Sequence, residues 1–327
     1  GAGAGRREQA ALPRRRRRLA ATAPCAAGLL ARVALAGVMM PAALRAQAPA
    51  PDDATVDPPL ASFSYGTQGT PVVIVTGVLG SAYSYRKVVP ELVARDFRVT
   101  IIDPLGFGAS PRPDGADYSS GAQANRVAAV MERKAGGPAL LVCHALAGPI
   151  CLRLAYRRPD LVRAVVSING GASEQAGTAQ MRMALKFARI VLAIAGRGFA
   201  IRKLKGGLID SSGDPSWVTD DVVAHYVAPF GSDPRQVIAS LQQILGAREA
   251  EPLRPNLRRV RVPVLLLYGP RTHDPNQPAL SLEERQLMRA ELPHFQQEDV
   301  TGAGTYIQEE QPGQVVAAVV RMRDQIR

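Results

Sequence analysis

Short apolar runs and helical patterns alternate along the chain from Phe63 onward. PVVIVTG (71–77), FRVTIID (97–103), GPALLVC (137–143), LVRAVVSING (161–170), VPVLLLYG (262–269) and HFQQEDV (294–300) are the strand candidates. Most of them are continuously apolar rather than alternating, which is the pattern of strands covered on both faces. Helical spacing is read over 84–95, 121–135, Pro149–Arg158, 280–291 and 312–326, with Pro90 giving the first an irregular start. Strand–helix alternation of this kind predicts an α/β fold, a mostly parallel central sheet with helices on both faces. The alternation stops over 172–258. That stretch shows no convincing strand and three helical segments, roughly 175–205, 217–229 and 233–247. The chain therefore divides into a core, 61–171 and 259–327, and a helical lid insertion, 172–258. Such insertions sit over the carboxyl ends of parallel strands, where ligands bind.

Composition adds little to this picture until the charge is located. The chain has 327 residues, 46% hydrophobic and 21% charged, which suits a globular protein with a sizeable core. Its net charge of +12 looks like that of a nucleic-acid binder, but residues 1–48 hold nine arginines against one glutamate. Only +4 remains for the rest of the chain, so nucleic acid is not an expected partner. Residues 1–48 combine a basic start, the apolar stretch Leu19–Leu44 and Ala46-Gln47-Ala48, an A-x-A cleavage pattern. They read as an export signal or, uncleaved, as an N-terminal membrane anchor; an Arg- and Ala-rich organelle transit peptide is the third option. Export to the periplasm or medium, or tethering through this segment, is the expected location. A Pro-rich linker, 49–60, follows. Cys143 and Cys151 flank a strand–helix turn, and their separation in sequence suggests backbones too far apart for a disulfide, so both are expected as small core residues.

The chemistry centres on CHALAG (143–148), where an apolar strand ends in small residues and a helix begins at once. VTGVLGS (75–81) and DPLGFGASPRP (103–113) precede it; RRPDLVRAVVSING, LLLYGPRTHDPNQP and DVTGAGTYIQEEQP follow. In that order these segments resemble the α/β-hydrolase superfamily, in its lid-bearing branch of epoxide hydrolases, haloalkane dehalogenases and small esterases. The resemblance covers about residues 60–327. It implies a strained nucleophile turn centred on residue 145, with small residues on either side because its backbone approaches its neighbours closely. Cys143, Ala147 and Gly148 meet that demand. Residue 145 itself is alanine, a methyl group where acyl or alkyl transfer needs a hydroxyl, thiol or carboxylate.

The same resemblance places a histidine base after the last strand, in the position of Thr305, whose hydroxyl accepts no proton near neutral pH. The acid position falls near Asp274. The oxyanion donors would be the backbone N–H groups of Val78 and Leu146, with Thr76 where the family has a histidine. A fold of this kind without the covalent groups is expected to bind a small apolar or carbonyl-containing ligand under the lid, or a protein partner, without converting it. The alternative is an active hydrolase of esters, epoxides or related apolar substrates that uses His273, Asp274 and a loop serine or water.

Other candidates have plainer readings. Cys143 is aimed at packing, His144 at a hydrogen bond beside the turn, and His225 lies in the lid. His294 opens the last strand candidate. Ser81 and Ser110 are loop residues, Ser110 a turn former. Trp217, after Asp214-Pro215-Ser216, reads as an anchor at the start of a lid helix. The lid segment MRMALKFARIVLAIAGRGFAIRKLKGG carries seven cations around an apolar set. It reads as an amphipathic cover with its charges in water, contact with an anionic membrane being the other reading. No metal-ligand spacing, phosphate loop or dinucleotide fingerprint occurs, and no cofactor is expected.

Overall fold

A computed structural model describes residues 58–174, 179–230, 234–271 and 280–326. The leader and most of the linker lie outside them, as do His273 and Asp274. Seven strands form one sheet in the order β1-β3-β2-β4-β5-β6-β7. These are β1 (Ser62–Tyr65), β2 (Thr70–Val75), β3 (Phe97–Ile102), β4 (Ala139–His144), β5 (Val162–Ile168), β6 (Val264–Tyr268) and β7 (Phe295–Asp299). All neighbouring pairs are parallel except β1, which runs antiparallel to β3 at the edge, Ser62 opposite Ile102. The hydrophobic pattern predicted every strand but this one. Ser62–Tyr65 is too short and too polar on one side to stand out, and only its pairing with β3 makes it a strand.

Nine α-helices complete the described chain: α1 (Val89–Val93), α2 (Ser120–Lys134), α3 (Gly148–Arg157), α4 (Ala179–Asp210), α5 (Asp220–Val227), α6 (Pro234–Gly246), α7 (Leu282–Glu291), α8 (Ile307–Glu310) and α9 (Pro312–Gln325). The helix expected over 84–95 is shorter than its pattern: a 3-10 turn at Ala82–Tyr85 precedes α1, and Pro90 sits in the first turn, where no N–H is needed. Successive strand residues point to opposite faces. Val73, Val75, Leu141, Cys143, Val165, Val264 and Leu266 pack with α2, α3 and α7. Val72, Ile74, Leu140, Val142, Val166 and Leu267 pack with α1 and α9.

Between β5 and β6 the regular elements among the described residues are α4 to α6 and short 3-10 turns, with no strand. A third, smaller apolar cluster joins this insertion to the core: Leu208, Trp217, Val222, Val223 and Tyr226 close on Tyr306. Trp217 is buried in a 3-10 turn, its Nε1 donating to Ser212 Oγ at 3.0 Å. The other fixed point is polar. Arg153, on α3 and wholly buried, forms ion pairs with Glu174 near the start of the insertion and Glu249 near its end, and donates to the Glu251 carbonyl at 2.6 Å. Glu249 also accepts from the backbone N–H groups of Ser120 and Gly121 at the start of α2. One buried guanidinium thus holds both ends of the insertion to the same helix.

Cys143 and Cys151 are joined by a disulfide, contrary to the sequence expectation. The sharp turn folds α3 back along β4, so eight residues of chain separate the Cα atoms by only 6.6 Å, within disulfide reach.

Candidate functional site

The site is built where β4 meets α3. All six residues of β4 are buried, and the chain then turns through Ala145–Ala147 into α3. Ala145 has φ +48°, the left-handed region that costs an L-residue about 1–2 kcal/mol. The surroundings hold it there by leaving no space for any other path. A Cβ on Gly148 would lie 2.7 Å from the Gly171 carbonyl oxygen, one on Gly170 would lie 2.9 Å from that of Ala145, and one on Gly77 would lie 2.6 Å from His144 Nδ1. Cys143 and Ala147 are completely buried, whereas Ala145 and Leu146 are only half-buried. The turn therefore presents residue 145 at a strained, partly open apex.

Register brings the second strand alongside. Val75 pairs with Cys143, which carries Gly77 and half-buried Val78 past His144 and Ala145. Thr76 is fully buried, and its hydroxyl donates to Asp103 Oδ1 at 2.8 Å, so its polar atom is directed away from the apex. Asp103 Oδ2 accepts from the Ala109 N–H at 2.8 Å. Burial pushes the Asp103 carboxyl up to about 6, against the opposing pull of those two hydrogen bonds and of Arg112. Ser110 is a buried turn residue: its hydroxyl donates to the Asp103 carbonyl and accepts from the Ala61 N–H. Ser81 is buried at the start of the Ala82–Tyr85 turn, its N–H bonded to Ser84 Oγ.

Facing the apex is the loop Thr301–Tyr306, held by backbone contacts. A Cβ on Gly304 would lie 2.3 Å from the Ser211 carbonyl oxygen, and one on Gly269 would lie 2.0 Å from that of Gly304. The Thr305 N–H donates to the Ser211 carbonyl at 2.8 Å. Its own carbonyl accepts from His144 Nε2 at 3.0 Å, so the residue before the apex is tied to the residue across from it. Burial drives the His144 pKa down to about 4, the hydrogen bond to Thr305 opposing it only in part, and the ring is neutral at neutral pH. Among the described residues, His144 and His225 direct ring nitrogens to main-chain carbonyls; His225 Nδ1 meets the Asp221 carbonyl and its ring stacks on Tyr83. His294 precedes β7 on the surface rather than opening it. The candidate acid Asp274 and its neighbour His273 lie outside the described residues, three and two positions beyond Arg271.

Two frame residues escaped the reading of the sequence. Asn169, at φ +48° after β5, accepts from the Gly269 N–H at 3.0 Å and donates to the Gly304 carbonyl at 2.9 Å. Glu310 accepts from the N–H groups of Gly304, Gly213 and Asp214, joining the loop to the insertion. The signals were Asn before Gly-Gly, which favours the left-handed conformation, and a carboxylate placed shortly before a helix start at Pro312. Glu309 beside it is buried against Arg86, at 2.5 Å, and Tyr226, whose hydroxyl donates to it at 3.0 Å. A cavity of about 30 Å³ touches Leu146, Phe107 and Ile244. It has room for water, whereas small-molecule pockets are roughly 300–1,000 Å³.

Comparison with known proteins agrees with this fold. A sequence description of the alpha/beta hydrolase fold matches residues 70–202. A haloalkane dehalogenase of Mycolicibacterium paratuberculosis is 30% identical over 214 residues, 62% of this chain and 68% of that protein. The uncharacterized hydrolase YugF of Bacillus subtilis is 24% identical over 74% of this chain and 85% of its own. Among solved structures, an alpha/beta hydrolase fold protein from Burkholderia ambifaria superposes with a TM-score of 0.64 and 26% identity, covering 80% of this chain and 93% of that one.

Proposed function

The chain belongs to the α/β-hydrolase superfamily, and from that premise we propose that it is a non-catalytic member, using the retained site to bind a ligand or a protein rather than to cleave a substrate. The observation that carries the reading is the Ala145 methyl at the apex of the strained turn, where covalent catalysis in this fold places its attacking atom. Thr305 across from it supplies no proton acceptor near neutral pH. The backbone N–H groups of Val78 and Leu146 beside the apex remain the donors to a carbonyl or carboxylate oxygen, since no side-chain change removes them. A ligand with such an oxygen and an apolar body is the class that this arrangement favours. Export accords with the Cys143–Cys151 bond, because disulfides persist mainly in oxidising compartments.

The test is an assay with short-chain aryl esters and styrene-type epoxides. The wild-type chain is expected to show no turnover above buffer. The double change Ala145→Ser with Thr305→His is expected to create measurable esterase activity, because on this reading only the two side chains are wanting. Sustained wild-type turnover that disappears in Ala145→Trp would overturn the reading in favour of an active hydrolase with another proton acceptor.

A further inference from the structure

Helix α4 is two helices in one. At Gly196 the backbone takes φ +73° and ψ 176°, a conformation open essentially to glycine alone, and a Cβ placed there meets no atom within 4 Å. The segment after this break is seated: Leu208 is buried, Ile201 and Leu204 pack beside Trp217 and Tyr226, and Lys205 pairs with Asp220 at 2.6 Å. The segment before it, 179–195, is different. Met183 and Phe187, one helical turn apart, are 55% and 56% exposed. Isolated exposed apolar residues are ordinary; two large ones on successive turns of one helix form a face.

The charge around that face has one sign. From Gln175 to Ile209 the chain holds seven lysines and arginines and not one acidic residue, and Arg182, Lys186 and Arg189 fall in the sequence before Gly196. An acid-free basic helix with an apolar face is the chemistry of a segment that lies in the headgroup layer of an anionic bilayer. It does not span one: no described helix is long and apolar enough to cross a membrane. A second copy is a poorer occupant, since pairing two such arms would bring like charges together in a chain of net charge +12. We propose that the arm before Gly196 docks on an anionic phospholipid surface, Met183 and Phe187 entering the acyl boundary and the cations of the arm supplying the attraction. This goes beyond the reading of the turn at Ala145 and does not depend on it.

The experiment is flotation of the full chain with vesicles of phosphatidylcholine, or of an equal mixture with phosphatidylglycerol. Binding to the mixed vesicles should exceed that to neutral ones by about tenfold or more, and fall steeply with added salt. Because residues 1–48 are also basic and apolar, the variants leave them untouched. Met183→Ser with Phe187→Ser should reduce partitioning about tenfold, and Lys186→Glu with Arg189→Glu should remove the preference for anionic vesicles. In Phe187→Trp, emission should shift to the blue on mixed vesicles, and circular dichroism of each variant should match the wild type. Unchanged binding by both double variants, or an unshifted Phe187→Trp emission on bound protein, overturns the proposal. So does a dimer that Met183→Ser with Phe187→Ser converts to monomer, which would make the arm a self-association face.

Discussion

The turn at His144–Gly148 and the loop Thr301–Tyr306 face each other across the site, yet they are held by different forces. The turn is locked by packing: a strand buried on both faces, a helix stitched to it through Cys143–Cys151, and glycine neighbours too close to admit a side chain. The loop is locked by hydrogen bonds that arrive from distant parts of the chain, from Asn169, Ser211 and His144, and from nearby Glu310. Neither frame uses the side chain of residue 145 or the imidazole that the fold can carry at residue 305. The shape of such a site is thus stabilised independently of its reacting groups, and on the proposed reading that is why the groups could be replaced without loss of the fold.

The contrast can be broken most severely on the packed side. Gly148→Val would drive a Cβ against the Gly170–Gly171 backbone, 2.7 Å from the Gly171 carbonyl oxygen and 3.0 Å from the Gly170 carbonyl carbon. A loss of about 3 kcal/mol or more is expected in urea unfolding.

Acid tests the bond between the two regions. His144 has a folded pKa near 4, below its unfolded value of 6.5, so its contribution is present above pH 6.5 and is lost as pH falls toward 4. Asp103 acts in the opposite sense. Its folded value of about 6 exceeds 3.8, so it favours the folded state below that pH and loses this contribution as pH rises through 6. The two oppose each other in the wild type. In His144→Gln the Asp103 effect is unmasked, and the stability advantage of wild type over variant should shrink by about 3 kcal/mol from about pH 7 to about pH 4. A pH-independent difference between the two chains would show that His144 is not held neutral in the folded state.

On the hydrogen-bonded side the effects are smaller. Glu310→Ala leaves the Gly304, Gly213 and Asp214 N–H groups to find water, at a cost of about 2 kcal/mol, and Glu310→Gln should cost less. Hydrogen exchange at Gly304 should accelerate in the alanine variant while that of β4 stays unchanged. The smallest effect has the opposite sign. Ala145→Gly relieves the left-handed strain but adds chain entropy to the unfolded state, so a gain of under about 1 kcal/mol is expected, against a loss wherever φ is negative.

Much of this molecule was legible in its sequence for a local reason. Largely apolar runs ending in Gly, Asp or Cys give five of the seven strands, and the small residues of CHALAG give a turn that only such residues can make. Burial and periodicity are properties of short stretches, so they survive in one dimension. Ala145 and Thr305, on which the proposed reading rests, are equally plain, since the identity of a side chain needs no coordinates to be noticed.

Only the tertiary structure could decide who meets whom. Ser62–Tyr65 becomes a strand by pairing with β3, and Cys151 reaches Cys143 because α3 doubles back on β4. Arg153 gathers carboxylates from residues 174 and 249, and Asn169 reaches a loop 135 positions away. Apart from the disulfide, each of these contacts joins groups far apart in sequence, whose meeting is fixed by sheet order and register rather than by any local preference. The chain alone names the side chain at the apex of the site; the fold determines that the apex is strained, partly open and tied through one neutral imidazole to the loop opposite.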